Sequence, residues 1–250
     1  MNTTSSYPAQ SSPVTCGIAA LAAVAARYQF PNYVLAPTPE VAAIQARLHR
    51  IAARTGLPWP RCLGTSPWAL AALVGKLTGE RYETRVWASS SNNFRLLRNF
   101  RSDWNCSPVR NFGLFWNLLS FRNHSSPHNH SSPRNQALHA VLQAVEANKD
   151  CFLYVGGPSG KPLQSWIPRH VVAVLGAEST ETTLTIFEPS SGRIFRVLTD
   201  SLLASSGKAR PEFGNWCYPL LIVVPAAAPA VEKEDRGRTF SAEANSTAEG

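Results

Sequence analysis

An asparagine recurs every six residues from Asn93 to Asn135, eight times in all, and this internal repeat limits what the rest of the chain can fold into. Its units read NFRLLR, NFRSDW, NCSPVR, NFGLFW, NLLSFR, NHSSPH and NHSSPR. A period of six fits neither helix nor strand alternation. Hexapeptides do build parallel β-helices, but the Ser-Pro breaks deny these units a continuous inward stripe. Residues 91–135 therefore read as a low-complexity insertion produced by tandem duplication. A core has to come from the flanks, 1 to about 90 and 136 to about 225, folded as one domain of residues 1–225 around the insertion. From residue 226 to 250 apolar periodicity ends, and the segment reads as a disordered tail.

The repeat also relocates the charge. The chain carries a formal +8, and the insertion holds six Arg against one Asp. What remains on the domain is a modest positive charge that gives no reason to expect nucleic acid. Arg and aromatic side chains interleave within the insertion, from Phe94 and Arg98 to Phe121 and Arg122, a pattern that could stack on single-stranded nucleic acid. Duplication accounts for it without that role. It equally accounts for His124, His128 and His130, whose spacing resembles a metal site, so neither metal nor other cofactor is expected. The run Gly156-Gly157-Pro158-Ser159-Gly160-Lys161 has the wrong spacing for a phosphate loop and reads as a turn.

Five cysteines, odd in number and without a CxxC pair, argue against both a zinc knuckle and a complete disulfide framework, and so for reduced thiols. The longest apolar stretch, Gly17 to Ala26, falls far short of the roughly 20 residues that cross a bilayer. Ahead of it, MNTTSSYPAQSSPVTC lacks the Lys or Arg of a secretory signal. The expected location is the cytoplasm, or outside the cell by a route that needs no such signal.

The flanks read as α+β, with a helical first half and an antiparallel sheet in the second. Cys16 to Arg27 is an Ala-rich buried helix, Thr38-Pro39-Glu40 starts a second helix, and Ser66-Pro67 starts a third that Gly79 closes. A further helix at about Ala137 to Ala147 precedes four strands, CFLYVGG, HVVAVLG, TLTIFEP and RIFRVL.

Chemistry concentrates at four residues. Cys16 begins the first helix, where unpaired N–H groups and the helix dipole favour a thiolate, which makes it a candidate nucleophile. Gln10 lies six residues upstream in a short, turn-rich segment, and its amide can donate to an oxyanion together with the Cys16 N–H. His170 opens the strand HVVAVLG, and Glu188 ends TLTIFEP. If those two strands form a hairpin, its ends meet and Glu188 holds the tautomer of His170, leaving the other ring nitrogen for the thiol. Gly17, next to the nucleophile, and Trp166, near His170, are the candidate walls of a substrate cleft. The remaining tryptophans outside the insertion read as core or cleft-wall residues.

At this point the sequence resembles the papain-like cysteine peptidases of the bacteriocin-processing, double-glycine peptidase type. The resemblance lies in Gln10-x5-Cys16-Gly17-Ile18-Ala19-Ala20-Leu21, in His170-Val171-Val172-Ala173-Val174-Leu175-Gly176 and in Glu188-Pro189-Ser190-Ser191-Gly192, with Gly64-Thr65-Ser66 before a helix. It implies a papain-like fold without a cofactor, acting on a peptide or protein substrate. Gln10 would be the oxyanion donor, Cys16 the nucleophile, His170 the general base and Glu188 the orienting acid. The family more often carries Asp or Asn in the last role. The implied chemistry is hydrolysis through a thioester. The same residues serve an acyltransferase or transglutaminase-like enzyme when an amine reaches the thioester before water. A rival of another class is an inactive papain-like scaffold acting as a basic binding protein through its repeat. Leader processing does not follow, because that activity accompanies a transporter and the chain has no expected membrane span. Oligomeric state is not encoded in any feature of the sequence.

Overall fold

The computed structural model describes residues 9–29, 39–52, 54–55, 64–87, 132–157, 168–203 and 207–226. The expected insertion up to residue 131, the expected tail from 227, Trp59, Cys62 and residues 158–167 with Trp166 lie outside the described residues, as do Cys106, His124, His128 and His130. In chain order the elements are α1 (Cys16–Gln29), α2 (Pro39–Ala52), α3 (Pro67–Thr78), β1 (Tyr82–Val86), α4 (Pro133–Glu146), β2 (Cys151–Gly156), β3 (His170–Val174), β4 (Thr183–Glu188), β5 (Arg193–Leu198), α5 (Thr199–Leu203) and β6 (Tyr218–Pro225). The strands form one antiparallel sheet in the order β1-β6-β2-β3-β4-β5.

The helix boundaries follow local chemistry. Ser66 Oγ accepts the Ala69 N–H at 3.1 Å, Pro67 occupies the first turn of α3, and Gly79 closes it at φ 74°, a left-handed turn that favours glycine. The same Ser-Pro signal opens α4, where Ser132 Oγ accepts the Asn135 N–H at 3.3 Å. The sequence places this helix at about Ala137; the structure starts it at Pro133. The Ser-Pro pair that ends the last repeat unit is itself a helix start, and Pro133 costs nothing where no N–H partner is required.

Two apolar clusters lie on opposite faces of the sheet. On one, Ala20 and Val24 of α1 and Leu70 and Val74 of α3 pack on Val171, Ala173 and Phe187. On the other, Val141 and Val145 of α4 pack on Val172, Val174, Leu184 and Ile186. Because both faces are covered, β2 and β3 are buried at every position and read as continuous apolar runs rather than alternating ones. Val141, Val172 and Val174 have no exposed surface, and each such side chain contributes about 1.5–3 kcal/mol.

The chain is thus a mixture of helix and antiparallel sheet, but the two are not segregated by halves. β1 comes from the first half, and α4 covers the face that α1 leaves bare. β6 is also additional to the four strands expected. Its two prolines disfavour a central strand, and Pro219 is accommodated where the β2–β6 register shifts between Tyr154 and Val155. A proline without an N–H fits that irregularity. At the far end of α1, Arg27 pairs with the buried Asp150, whose carboxylate also accepts the Gly176 N–H at 2.8 Å. Burial pushes the Asp150 carboxyl up, and Arg27 and the Gly176 amide oppose the rise without cancelling it.

Candidate active site

The site forms where the start of α1 meets the start of β3 and the end of β4. Cys16 is the first residue of α1 and only 3% exposed. Thr15 accepts the Ala19 N–H through its carbonyl at 2.8 Å and so begins the helix. Its hydroxyl faces backwards, accepting the Ser12 N–H at 3.0 Å and donating to the Ser12 carbonyl at 2.9 Å. That closed turn folds the preceding residues against the helix end.

β3 and β4 form the hairpin, with Ala173 opposite Phe187 and Val174 opposite Ile186. Their far ends consequently meet, and His170 Nε2 lies 2.7 Å from Glu188 Oε1. Cys16 neighbours the ring and helps to raise His170, and with Glu188 at Nε2 the nitrogen that remains for it is Nδ1. Cys16, His170 and Glu188 are thus brought together at one end of the sheet.

The carboxylate folds back over its own turn, which takes up the longer reach of Glu. Oε1 accepts the Ser190 N–H at 2.7 Å and the Ser190 hydroxyl at 2.6 Å, while Oε2 accepts the Ser191 N–H at 2.8 Å. Burial would raise the Glu188 carboxyl, but His170, Ser190 and Ser191 together hold it at about 2. Burial would likewise lower His170, yet the hydrogen bonds to Cys16 and Glu188 and their charges lift it to about 9. Such an imidazole keeps its proton at neutral pH while touching a sulfur on one side and a carboxylate on the other.

Gln10 reaches the same end of the sheet through its backbone, donating to the Pro189 carbonyl at 2.7 Å. Its side-chain Oε1 is buried and without a partner among the described residues. On the other edge of the segment, Gln45 Oε1 accepts the Ser11 N–H at 2.9 Å and Gln45 Nε2 donates to the Ala9 carbonyl at 3.2 Å.

Three glycines shape the surroundings. A Cβ on Gly214, at φ 61°, would lie 2.9 Å from His170 Nε2 and 3.1 Å from Glu188 Oε1, so this backbone presses directly on the pair. A Cβ on Gly64, at φ 78°, would lie 3.1 Å from the Val14 carbonyl and 3.9 Å from the Cys16 sulfur. Gly17 is buried, and a Cβ there would lie 3.0 Å from Thr65 Cβ. Gly17 thus lets α1 pack closely on the 64–66 segment. Thr65 in turn is fixed by Tyr154, whose hydroxyl donates to its carbonyl at 2.9 Å.

Gln45, Ser190 and Gly214 are absent from the sequence expectation. Ser190 stood inside a recognised motif, and its position two residues after the carboxylate was the available signal. Gln45 and Gly214 belong to no motif, and only the tertiary approach identifies them. Among the described residues, no three His, Cys, Asp or Glu side chains come together as a metal site. Open grooves of about 510 Å³ beside Phe195, Leu198 and Arg210, and about 340 Å³ beside Arg47, Arg50 and Arg54, are lined by none of the site residues. No described helix is long and apolar enough to cross a membrane. No protein-family model matches the chain, and no curated protein matches it.

Proposed function

We propose that the protein is a papain-like cysteine peptidase or amide hydrolase in which Cys16 is the nucleophile. The observation that carries this reading is a buried Cys16 beside the buried His170–Glu188 pair, with the imidazole lifted to about 9 and the carboxyl held at about 2. A protonated His170 beside Cys16 holds the proton that a leaving nitrogen needs.

In the proposed reaction the thiolate attacks an amide carbonyl carbon, forming a C–S bond and a tetrahedral oxyanion. The Cys16 N–H at the helix start and the Gln10 side-chain amide are the donors for that oxygen. As the C–N bond breaks, His170 gives its proton to the leaving nitrogen, and an amine departs from a thioester. His170, now neutral, takes a proton from water, whose oxygen displaces the sulfur and releases the acid. Glu188 holds the ring in one tautomer and stabilises the imidazolium in both half-reactions. An amine in place of that water would give acyl transfer through the same steps.

The test is digestion of a defined peptide mixture, followed by mass spectrometry of new termini. Wild type should generate cleavage products that Cys16→Ala and His170→Ala do not. Products identical in all three proteins would overturn the assignment. Added methylamine should convert part of the product acids to methylamides if transfer competes with hydrolysis.

A further inference from the structure

We infer that Gln45 is a positioning residue that fixes the proposed oxyanion donor Gln10 in register with the His170–Glu188 pair; the inference rests on the function proposed above. Gln45 is in α2, remote in sequence from the site, and its side chain has no exposed surface at all. Its outward neighbours Arg47, Arg50 and Ile51 are exposed. An amide at a fully buried helix position loses its water on both ends and gains nothing over Leu unless both ends are re-bonded.

Both ends are re-bonded, and to the two residues that flank Gln10. Oε1 accepts from the Ser11 N–H at 2.9 Å, and Nε2 donates to the Ala9 carbonyl at 3.2 Å. Because one planar amide serves both, the Ala9 carbonyl and the Ser11 N–H face the same way. The N–H of Gln10 itself goes to a different element, meeting the Pro189 carbonyl at 2.7 Å. Gln10 is therefore held along both edges of its backbone. One edge is bound to α2, and the other to the residue that directly follows Glu188. A two-point clamp fixes rotation as well as distance, which a single hydrogen bond does not. The side-chain Oε1 of Gln10 is buried without a partner among the described residues. A backbone tied down from both sides holds the side chain's Nε2, the donor the proposed site uses, in a fixed place.

The experiment compares two reactions of the same thiol. Acylation of Cys16 by p-nitrophenyl acetate passes through an oxyanion, whereas alkylation by iodoacetamide does not. Both are followed in the full-length protein, with Cys16→Ala subtracted as background and thermal melting recorded for each variant. Gln45→Leu should slow acylation by about tenfold or more, as loss of an oxyanion donor does, and leave alkylation within about twofold. Gln10→Ala should do the same, and the double variant should be no slower than the slower single one, because both remove one function. Gln45→Glu keeps the acceptor for Ser11 but cannot donate to Ala9 when ionised, and should fall between; it carries the test alone if Gln45→Leu does not fold. Acylation unchanged in the Gln45 variants, both reactions slowed alike, or additive losses with Gln10→Ala would each overturn the positioning role while leaving Cys16 as nucleophile. A wild-type Cys16 no faster than the other thiols in either reaction would instead overturn the underlying function, and this inference with it.

Discussion

Replacing Glu188 by Gln removes one charge from the site while keeping its size and most of its hydrogen-bonding surface. In wild type the imidazole of His170 holds its proton to about 9 instead of 6.5, despite burial that works in the opposite direction. At 1.36 kcal/mol per pH unit, that difference is about 3 kcal/mol of preference for the imidazolium. Two partners supply it, Cys16 and Glu188, and the Glu188 contact at 2.7 Å is of ion-pair length. An opposite charge at such range accounts for about 1–3 pH units. Glu188→Gln should therefore bring His170 down by at least about one unit, with burial then acting on an imidazole that has lost its carboxylate. The assay is a ¹⁵N-histidine NMR titration from pH 5 to 10, with His170→Ala assigning the resonance. A midpoint that stays near the wild-type value would refute the reasoning, because the carboxylate would then contribute nothing to the charge on the ring. The same variant tests stability from the acid side. The Glu188 carboxyl is depressed from 4.5 to about 2, so its contribution is present above pH 4.5 and lost as pH falls through 2. The stability difference between wild type and Glu188→Gln should shrink across that window in urea unfolding, and a constant difference would argue against it.

Other perturbations follow from the same geometry. Gly214→Ala places a methyl 2.9 Å from His170 Nε2 at φ 61°; a left-handed alanine costs about 1–2 kcal/mol in unfolding. A ring displaced toward 1 Å costs activity by up to about 100-fold; kinetics equal to wild type would show the ring unmoved. Ser190→Ala removes the 2.6 Å hydroxyl bond to Glu188, and loss of a hydrogen bond to a charge, about 1.5–3 kcal/mol, should raise the Glu188 midpoint by one pH unit or more in a ¹³C-carboxyl titration. Asp150→Asn removes the carboxylate that Arg27 and the Gly176 N–H share, while Arg27 keeps Glu178 at 3.7 Å, and should cost about 1.5–3 kcal/mol in urea unfolding; no measurable loss would mean the pair contributes little.

The His170–Glu188 contact was legible in the sequence because a hairpin is a local object: two β-rich runs and a polar turn determine which ends meet. α1 and α3 were legible for a similar reason, since Ala runs, Ser-Pro starts and a closing Gly act within a few residues. β6 was not, because Pro219 and Pro225 argue against a central strand, and the register shift that accommodates one of them exists only beside β2. β1 was hidden by Glu83 and Arg85, whose short alternation is too weak to stand alone. Covering of the sheet on both faces left a trace in the continuous apolar runs of β2 and β3, but nothing in those runs says which helix covers which face. Gly214 and Gln45 lay wholly outside sequence reach. The first matters through a missing Cβ against a ring brought in from β3, the second through an amide that bonds backbone more than 30 residues away.

The central claim is that Cys16 is a nucleophile made reactive by His170, and competitive alkylation tests it most directly. The protein is treated with substoichiometric iodoacetamide at about pH 6, well below the ordinary thiol range near 8.5, and all five cysteines are quantified by peptide mass spectrometry. Cys16 should be modified first by a wide margin, and His170→Ala should abolish that preference. Equal labelling of the five cysteines, or an unchanged Cys16 rate in His170→Ala, would contradict the account.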